Sequence, residues 1–447
     1  MTTLEKWAAV CVFLIACGSP AANDPDANTP ADAASIDAPK VPMDAPAPVL
    51  GNACPSKLTE VTRITNAWDT STYTVHDVMV GKLDNNATSD IVIVEDAYDS
   101  ANSRTKLRFR VFLSDGTAFA APVTSDAVFP QYGPEQVLLG DFNGDHLADL
   151  LISYTDSESS SRVSYVYVAT QQADHTFVMG PARDVSACKF SSDERYFALG
   201  VLDVDRDGKD DLLTTVSYDG LGAEPAGLSL LKGTASGLGT ATCAASATTT
   251  NLGFPSQMIS AERFRIGDFD GDGKPDVMAM DYHQMTLFRS TAASTFASAP
   301  NAVPYDDGIH YATDPVNHGV IGLDVQSTGA TAKRFAASAN GVVASPIATF
   351  ATEGAPLGNY DAIRGFAVAD FNGDGLTDVI AVGNHAYSDN YPDPVSFGLA
   401  CDRSARWDVV GGGFPNGIYK LAAIDLGGRT DVVVQSDYDL VVYRLDP

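Results

Sequence analysis

RIGDFDGDGKPDVMAM, residues 265–280, places four aspartates within nine positions and continues directly into an apolar run. Alternate residues face inward when a short backbone segment curls around a centre, and Gly271 and Gly273 permit such a tight path. Loop positions one, three, five and nine are Asp268, Asp270, Asp272 and Asp276. Four converging carboxylates repel one another unless a cation lies between them. The stretch therefore predicts an acidic turn that holds a counter-ion and leads into a buried strand.

The same outline recurs along the chain. Close copies occupy residues 138–153, 199–215 and 367–382, and weaker copies occupy residues 78–94, 319–335 and 421–435. The leading aspartates of the seven copies are Asp84, Asp141, Asp203, Asp268, Asp324, Asp370 and Asp425. They are spaced 46 to 65 residues apart, which is the length of a four-stranded propeller blade.

These repeats predict an all-β fold, a seven-bladed β-propeller. Strand-like runs such as residues 106–115 and 161–170 supply the outer strands, and no amphipathic helix of useful length is present. Only two strands fit after Asp431, so residues 57–65 are expected to complete the last blade. A ring closed by its N- and C-terminal strands leaves no exposed sheet edge. An extended array of calcium-binding β-modules is the alternative architecture.

The pattern resembles the FG-GAP or VCBS repeat family, over roughly residues 51–447. That family is known from the seven-bladed head of integrin α chains and from many bacterial surface proteins. The resemblance implies a propeller whose acidic turns bind calcium.

Four turns match the ligand pattern at positions one, three, five and nine, with a backbone carbonyl from position seven. The predicted ligands are Asp141, Asn143, Asp145, Leu147 and Asp149; Asp203, Asp205, Asp207, Lys209 and Asp211; Asp268, Asp270, Asp272, Lys274 and Asp276; Asp370, Asn372, Asp374, Leu376 and Asp378. The side chain at position seven is expected to point to solvent. His146 replaces the usual glycine of the second repeat, which predicts strain there.

Hard oxygen ligands on a flexible loop favour calcium over zinc or copper. An EF-hand is excluded because its bidentate glutamate at position twelve is replaced by Ile152, Thr214, Ala279 and Ala381. The alternative is an acidic hairpin turn without an ion, and we favour that alternative at Asp84, Asp324 and Asp425. About four structural calcium ions are therefore expected.

The N-terminus is typical of an exported lipoprotein. Residues 1–16 form a signal peptide whose apolar run is too short to span a membrane as a mature helix, and Cys17 matches the lipidated cysteine of a bacterial lipobox. By resemblance, Gly18 favours the outer membrane of a Gram-negative cell. An ordinary secretory signal is the alternative. Residues 17–50 are rich in Ala, Pro and Asp and predict a disordered tether, so that 51–447 is the folded part.

The formal net charge of −29 argues against nucleic acid or anionic lipid as a partner. An acyl chain would be the only membrane contact. The four remaining cysteines form no CxxC pair and predict two disulfides, for which we favour Cys188–Cys243 and Cys54–Cys401.

No catalytic motif is present: the sequence has no HExxH, no GxSxG and no phosphate-binding glycine loop. Residues 305–318 predict a polar loop between the fourth and fifth blades, and residues 383–394 predict a second one. The candidate ligand residues of the first loop are Asp306, Asp307, His310, Tyr311, Asp314 and His318. Solvated loops without a ligand are the alternative.

The sequence therefore predicts a surface-anchored, calcium-binding β-propeller, a non-enzymatic module that binds an extracellular protein or glycan. Two alternatives stay open. One is a polysaccharide-active enzyme, since some calcium-binding propellers resemble lyases. The other is a scaffold protein of the outer envelope.

Overall fold

The computed structural model describes most of the chain after residue 56. The described residues are 57–68, 72–102, 104–129, 133–155, 164–185, 194–218, 228–245, 264–280, 284–292, 295–298, 303–304, 309–326, 329–351, 363–371, 373, 375, 377–383, 396–401, 404–409, 420–436 and 439–446. Residues 1–56, which include the signal peptide, Cys17, the tether and Cys54, lie outside this set.

Continuous apolar runs form the second strands of the sheets. Ile91, Val92, Ile93 and Val94 are all fully buried, and they lie in a strand that spans Asp90–Asp99. β-Branched side chains favour a pleated backbone, and burial on both faces explains why the run does not alternate with polar residues.

The first three sheets use strands β2 to β16. The first sheet contains β2 (Thr74–Gly81), β3 (Asp90–Asp99), β4 (Arg104–Phe112) and β5 (Val123–Phe129). The second contains β6 (Gln136–Gly140), β7 (Asp149–Thr155) and β8 (Ser164–Gln171), with β9 (Phe177–Met179) and β10 (Arg183–Asp184) beside β8. The third contains β11 (Glu194–Leu202), β12 (Asp211–Tyr218), β13 (Leu228–Leu231) and β16 (Thr242–Ala245). A two-stranded ribbon lies between β13 and β16 in the chain, formed by β14 (Gly233–Thr234) and β15 (Gly237–Leu238).

The next three sheets continue the same plan. The fourth contains β17 (Phe264–Gly267), β18 (Asp276–Met280), β19 (Gln284–Ala292) and β20 (Thr295–Ser298), with β21 (Val303–Pro304) beside β19. The fifth contains β22 (Ile309–Asp314), β23 (Gly319–Gln326), β24 (Gly329–Ser338) and β25 (Gly341–Ala351). The sixth contains β26 (Ile363–Ala369), β27 (Asp378–Gly383), β28 (Ser396–Cys401) and β29 (Ser404–Val409). All six of these sheets are built from strands that follow one another along the chain.

The remaining four-stranded sheet is composite. It contains β30 (Lys420–Asp425), β31 (Thr430–Gln435) and β32 (Leu440–Asp446) from the C-terminus and β1 (Lys57–Ile64) from the N-terminal side. β1 pairs antiparallel with β32, with Lys57 opposite Asp446 and Ile64 opposite Leu440. Residues 57–65 therefore lie in the place that the sequence predicted for them.

The first strands of successive sheets lie beside one another. Neighbours are β2 and β6, β6 and β11, β11 and β17, β17 and β22, β22 and β26, β26 and β30, and finally β30 and β2. The described residues include no helix. The chain is thus an all-β propeller, as the repeats predicted.

The core lies between neighbouring sheets. Val92 and Val94 pack with Leu150 and Ile152 of the second sheet. Ile91 and Ile93 project from the other face of the same strand and pack with the composite sheet of β30, β31, β32 and β1, which is called the seventh sheet below. Because alternate side chains of a strand face opposite sides, one second strand contributes to two apolar clusters.

The fifth repeat differs from its prediction. Asp324 was expected to lead an acidic turn, but it lies within β23, where it pairs with Ile309 and Thr331. The turn between the first two strands covers only residues 315–318, and Asp314 precedes it. The weak sequence copy was aligned on the wrong aspartate because this turn has lost its acidic residues.

The junction between β2 and β30 contains a buried ion pair. The Lys420 ammonium donates a hydrogen bond to Asp77 Oδ1, and Asp77 is only 4% exposed. The Val78 amide also donates to Asp77 Oδ1, at 2.7 Å. A buried carboxylate that loses its partner keeps its desolvation cost, so this contact should matter for the junction.

Lys420→Met is expected to lower the free energy of unfolding by about 3 kcal/mol, because the Asp77 carboxylate stays buried without its ammonium. Urea unfolding at constant free calcium measures the change. The double variant Asp77→Asn/Lys420→Met should recover more than half of the loss, since neither charge remains. Equal stability of the single variant and the native protein would rule out a role for the pair.

Candidate metal sites in the acidic turns

The acidic turns join the first and second strands of their sheets. Residues 141–148, 203–210, 268–275 and 370–377 connect these strands in the second, third, fourth and sixth sheets. Because the first strands lie side by side, all four turns follow the same end of those strands.

Left-handed backbone positions shape each turn. Positive φ angles occur at positions four and six, and the residues are Gly144 and His146, Arg206 and Gly208, Gly271 and Gly273, and Gly373 and Gly375. Two such residues turn successive amide groups toward one centre. The strain predicted at His146 is supported by its φ of 68°, and Arg206 at 62° is a second non-glycine residue in this region that the sequence analysis missed.

The leading aspartate receives these amide groups. Asp141 Oδ1 accepts a hydrogen bond from the Gly144 amide at 2.7 Å, and its Oδ2 accepts one from the His146 amide at 2.8 Å. Asp203, Asp268 and Asp370 accept from the position-six amides at 2.9, 2.9 and 2.8 Å. The leading carboxylate therefore organises the backbone of its own turn.

The final aspartate fastens the turn to its sheet. Asp211 accepts hydrogen bonds from the Val204 amide at 3.0 Å and the Gly233 amide at 2.7 Å. Asp276 accepts from the Phe269 amide at 3.2 Å and the Ser290 amide at 3.0 Å. One donor lies in the turn and the other lies near the end of the third strand. Asp90, Asp149 and Asp378 are also buried at this position.

Two turns bring three carboxylates together. Ligand oxygens of Asp203, Asp205 and Asp211 lie within 4.8 Å of one another, as do those of Asp268, Asp270 and Asp276. Such a spacing fits one small cation held by hard oxygen ligands, which is the preference of calcium.

Carboxylate oxygens without partners support that fit. Asp205 Oδ1 and Asp268 Oδ1 are buried and accept no hydrogen bond within the described part of the chain. In the second turn, Asp149 is fully buried and its Oδ2 has no partner among the described residues. A buried oxygen that accepts nothing is costly, and a cation would remove that cost.

All residues of the second turn are described, whereas three residues of the sixth turn are not. Asn143 Oδ1 accepts a hydrogen bond from the Asp145 amide at 2.8 Å, and its Nδ2 donates to Asp145 Oδ2 at 3.1 Å. Asn372, Asp374 and Leu376 lie outside the described residues. The ligand sets predicted for all four turns stay predictions.

The lysines at position seven are partly exposed, and each pairs with the carboxylate at position five of its own turn. Lys209 Nζ lies 2.9 Å from Asp207 Oδ2, and Lys274 Nζ lies 2.6 Å from Asp272 Oδ2. Each ammonium sits near its own turn because position five offers a carboxylate two residues away. These pairs are partly exposed, so each contributes little to stability.

Burial changes the acidity of the final aspartates. It raises the pKa of Asp149 to about 7 and the pKa of Asp211 and of Asp276 to about 6. Nearby carboxylates raise these pKa values further, and the backbone amides that donate to these groups oppose the rise. Low solvation and like charges both favour the protonated form, so a bound cation should lower these pKa values.

Neighbouring turns are joined by contacts that the sequence analysis missed. The Asp141 amide donates to Asp210 Oδ2, and the Asp210 amide donates to the Asp141 carbonyl, both at 2.7 Å. Ser89 and Asp425 form a similar reciprocal pair across the β2–β30 junction, at 2.8 and 3.2 Å. At these two junctions the residue before the final aspartate binds the leading aspartate of the preceding sheet.

The fifth sheet is also joined to its neighbouring sheets by hydrogen bonds between turns, but with different side chains. Thr377 Oγ1 donates to Asp314 Oδ1 at 2.8 Å, and His318 Nδ1 lies 3.0 Å from the Asp268 carbonyl oxygen. Arg334 Nε donates to Asp314 Oδ2 at 2.9 Å. In the sequence, such contacts are signalled only by a polar residue directly before the final aspartate, such as Thr377 or Asp210. The sequence does not identify the partner of that residue, which lies about sixty residues away.

The turns without a full ligand set are satisfied by protein groups. Asp84 Oδ2 accepts from Asn86 Nδ2 at 3.0 Å, and Asp425 Oδ1 accepts from the Gly428 amide at 3.0 Å. Asp431 is bound by both Arg444 Nε and Arg444 Nη2, at 2.9 and 2.7 Å. The absence of an ion from the turns at Asp84 and Asp425 stays a prediction.

The candidate ligand loop at residues 305–318 is corrected. His310, Tyr311 and Asp314 lie in β22, the first strand of the fifth sheet, and Tyr311 and Asp314 are buried. Asp306 and Asp307 lie outside the described residues, as does the second polar loop predicted at 383–394, except for Gly383, which ends β27. Charged residues next to a strand were mistaken for a connecting loop because β22 is short and contains three polar residues.

Cys243 lies in β16, the outermost strand of the third sheet, and it is disulfide-bonded. Its predicted partner, Cys188, lies outside the described residues. Both predicted disulfide pairings therefore stay predictions. Among the described residues, none belongs to a helix that is long and apolar enough to cross a membrane.

Comparison with known proteins supports a repeat of the expected kind. Residues 363–396, which contain the sixth acidic turn, match the family described as FG-GAP repeat. No curated protein matches the chain.

Two solved structures with low sequence identity resemble the chain. The structure titled "Structure of Dos1 propeller" has a TM-score of 0.42 and 8% identity, covering 82% of this chain and 78% of that one. A pore structure of the Tc holotoxin from Photorhabdus luminescens has a TM-score of 0.33 and 14% identity, covering 82% of this chain and 17% of that one.

The raised pKa values predict a pH dependence in the absence of calcium. An aspartate with a raised folded-state pKa stabilises the fold fully below its unfolded pKa near 4, and this contribution is lost as pH rises through about 6 to 7. In excess chelator, Tm should fall between about pH 4.5 and about pH 7.5.

Asp149→Asn should flatten this fall, because the amide cannot ionise and its Nδ2 can replace the proton of the carboxyl group. Thermal melts across the pH range measure the slope. Asp126→Asn, at an exposed carboxylate of β5, serves as the control. The same slope in the native protein and in Asp149→Asn would contradict the assignment.

His146→Gly should raise the free energy of unfolding by about 1 kcal/mol, since glycine adopts a positive φ without steric cost. The reverse change, Gly375→His, should lower it similarly, because no atom lies within 4 Å of an added Cβ there and only backbone strain acts. Chemical denaturation in chelator compares the two variants. A loss of stability in His146→Gly would show that the imidazole, and not the backbone, determines this position.

Proposed function

We propose that this chain, an FG-GAP repeat β-propeller, is a calcium-stabilised binding module displayed outside the cell. The observation that carries the proposal is the convergence of three carboxylates in each of two turns, with a buried oxygen in each turn that has no partner among the described residues. Acidic turns on a rigid sheet can hold an ion, whereas a purely solubilising surface has no need to bury its carboxylates.

The groups that would hold calcium are those of the four predicted turns. In the third turn they are Asp203, Asp205 and Asp211, joined by Asp207 and the Lys209 carbonyl. Calcium supplies positive charge at the point where the carboxylates meet, and the protein supplies the oxygen atoms and their orientation. We propose a structural role, because the ligands join two strands of one sheet.

The calcium should stabilise the fold by mass action. With free calcium tenfold above the dissociation constant, each site adds about 1.4 kcal/mol, and four sites add about 6 kcal/mol. That sum is comparable to the whole stability of an ordinary domain.

We also propose that the sheets form one closed ring. Support comes from the pairing of β1 with β32 and from the contacts of β30 with β2. In such a ring the acidic turns stiffen one face, and the connections at the opposite face are free to vary.

The proposed location is the outer membrane or cell surface of a Gram-negative bacterium. The apolar run before Cys17 and the Pro- and Asp-rich tether support a lipid anchor that holds the propeller away from the bilayer. The proposed ligand is an extracellular protein or glycan, and the strongly acidic composition argues against nucleic acid.

Chelation tests the structural role of the ion. Excess chelator should lower Tm by about 7 °C, because about 6 kcal/mol is lost and the unfolding entropy of about 400 residues is about 0.8 kcal/mol/K. Calcium, but not the same concentration of magnesium, should restore Tm because the turns offer many oxygen ligands. Differential scanning calorimetry measures the shift. The same Tm with and without excess chelator would contradict the proposal.

A binding screen tests the ligand class. The purified protein is presented to arrays of glycans and of envelope proteins, with calcium and with chelator. Saturable binding that is lost in chelator and returns with calcium is expected. Cleavage of a polysaccharide in that screen would replace the binding function with an enzymatic one.

A further inference from the structure

Basic side chains reach the carboxylates of two acidic turns from the neighbouring strand. Lys232 Nζ lies 2.6 Å from Asp205 Oδ2 in the third turn, and Arg289 Nε lies 3.0 Å from Asp270 Oδ2 in the fourth. Both aspartates occupy position three of a predicted calcium site. Each site therefore has a protein cation in contact with one of its own ligands.

Strand register places these basic residues. Leu212 pairs with Leu231, so Lys232 follows directly opposite the final aspartate of the third turn. Val277 pairs with Phe288, so Arg289 takes the same place in the fourth sheet. Because cross-strand neighbours lie about 5 Å apart, a long basic side chain at this place extends over the turn.

The second and sixth turns have no basic residue at that place. Leu150 pairs with Ala169 and Val379 pairs with Ala400, so the equivalent residues are Thr170 and Cys401. Position three in these turns is asparagine, and position seven is leucine instead of lysine. The second turn also contains Asp149 Oδ2, which is buried without a partner among the described residues.

The four turns therefore fall into two charge classes. In the third and fourth turns, four aspartates are joined by two basic side chains, Lys232 with Lys209 and Arg289 with Lys274. Arg206 of the third turn also donates to the Gly273 carbonyl of the fourth turn, which adds positive charge there. In the second and sixth turns, three aspartates and one asparagine have no basic side chain at the two equivalent places. The side chains at positions one, three, five, seven and nine, together with the residue opposite position nine, carry a net charge of about −2 in the first class and about −3 in the second.

We propose that Lys232 and Arg289 set the calcium affinity of the third and fourth turns, making them a weaker class that fills after the second and sixth. This rests on the proposed calcium binding. Calcium affinity depends on the charge of the ligand set, and a cation that contacts a ligand also repels the incoming ion. The propeller would then load calcium in two steps, and its third and fourth sheets would respond to calcium levels at which the other two sites are already full.

Native mass spectrometry of the protein over a range of free calcium concentrations tests the proposal. The native protein should accumulate a two-ion species before a four-ion species. In Lys232→Met the third turn should bind its calcium at a free calcium concentration roughly tenfold lower than in the native protein. A three-ion species should therefore appear between the two-ion and four-ion species. Lys232→Arg keeps the charge and should behave as the native protein does.

The matched control is Lys106→Met, which removes the same charge from an exposed residue that pairs with Asp99 on the first sheet. It should leave the loading order unchanged. Ions that bind in one step, or Lys232→Met that loads as the native protein does, would overturn the proposal while calcium binding stands. Absence of bound ions in the native protein and in every variant would instead overturn the proposed function.

Discussion

A buried carboxylate at the first residue of the second strand holds each acidic turn against its sheet. In the fourth sheet this carboxylate belongs to Asp276, which accepts one amide from the turn and one from the third strand. A charged group in such a place is costly unless it is hydrogen-bonded and balanced by a cation. The fold, the turn geometry and the proposed calcium binding all depend on how that cost is met.

Different sheets meet the cost with different cations. In the seventh sheet Arg444 binds the buried carboxylate of Asp431 with two hydrogen bonds. In the fifth sheet the buried carboxylate belongs instead to Asp314, at the end of the first strand, and Arg334 binds it. The third and fourth sheets combine a convergent set of carboxylates with a nearby basic residue. The repeats therefore share one electrostatic requirement, and the proposed metal binding would be one of several ways to satisfy it.

Local pattern was enough to predict much of this structure. The spacing of the aspartates located the turns, the glycines marked the positive φ angles, and the apolar runs marked the buried second strands. The N-terminal strand beside β32 was also predictable, because counting strands left the last sheet one short. Each of these features depends on residues that are close in sequence or on a simple count.

Features that depend on distant residues were not predictable. The fifth turn was assigned to Asp324 because nothing local shows that its role passed to Asp314, which is held by Arg334 and Thr377. The reciprocal contact of Asp210 with Asp141 joins two different sheets, and neither residue identifies the other in the sequence. The partners of Lys232 likewise become evident only from strand register.

Calcium in the acidic turns is the central claim, and crystallography with anomalous scattering tests it most directly. Crystals of the protein grown with calcium should show anomalous peaks in the turns at residues 141–149, 203–211, 268–276 and 370–378, each surrounded by carboxylate oxygens. No such peak should lie at Asp314 or Asp431, where arginine already supplies the positive charge. Four turns without an anomalous peak at saturating calcium would contradict the account.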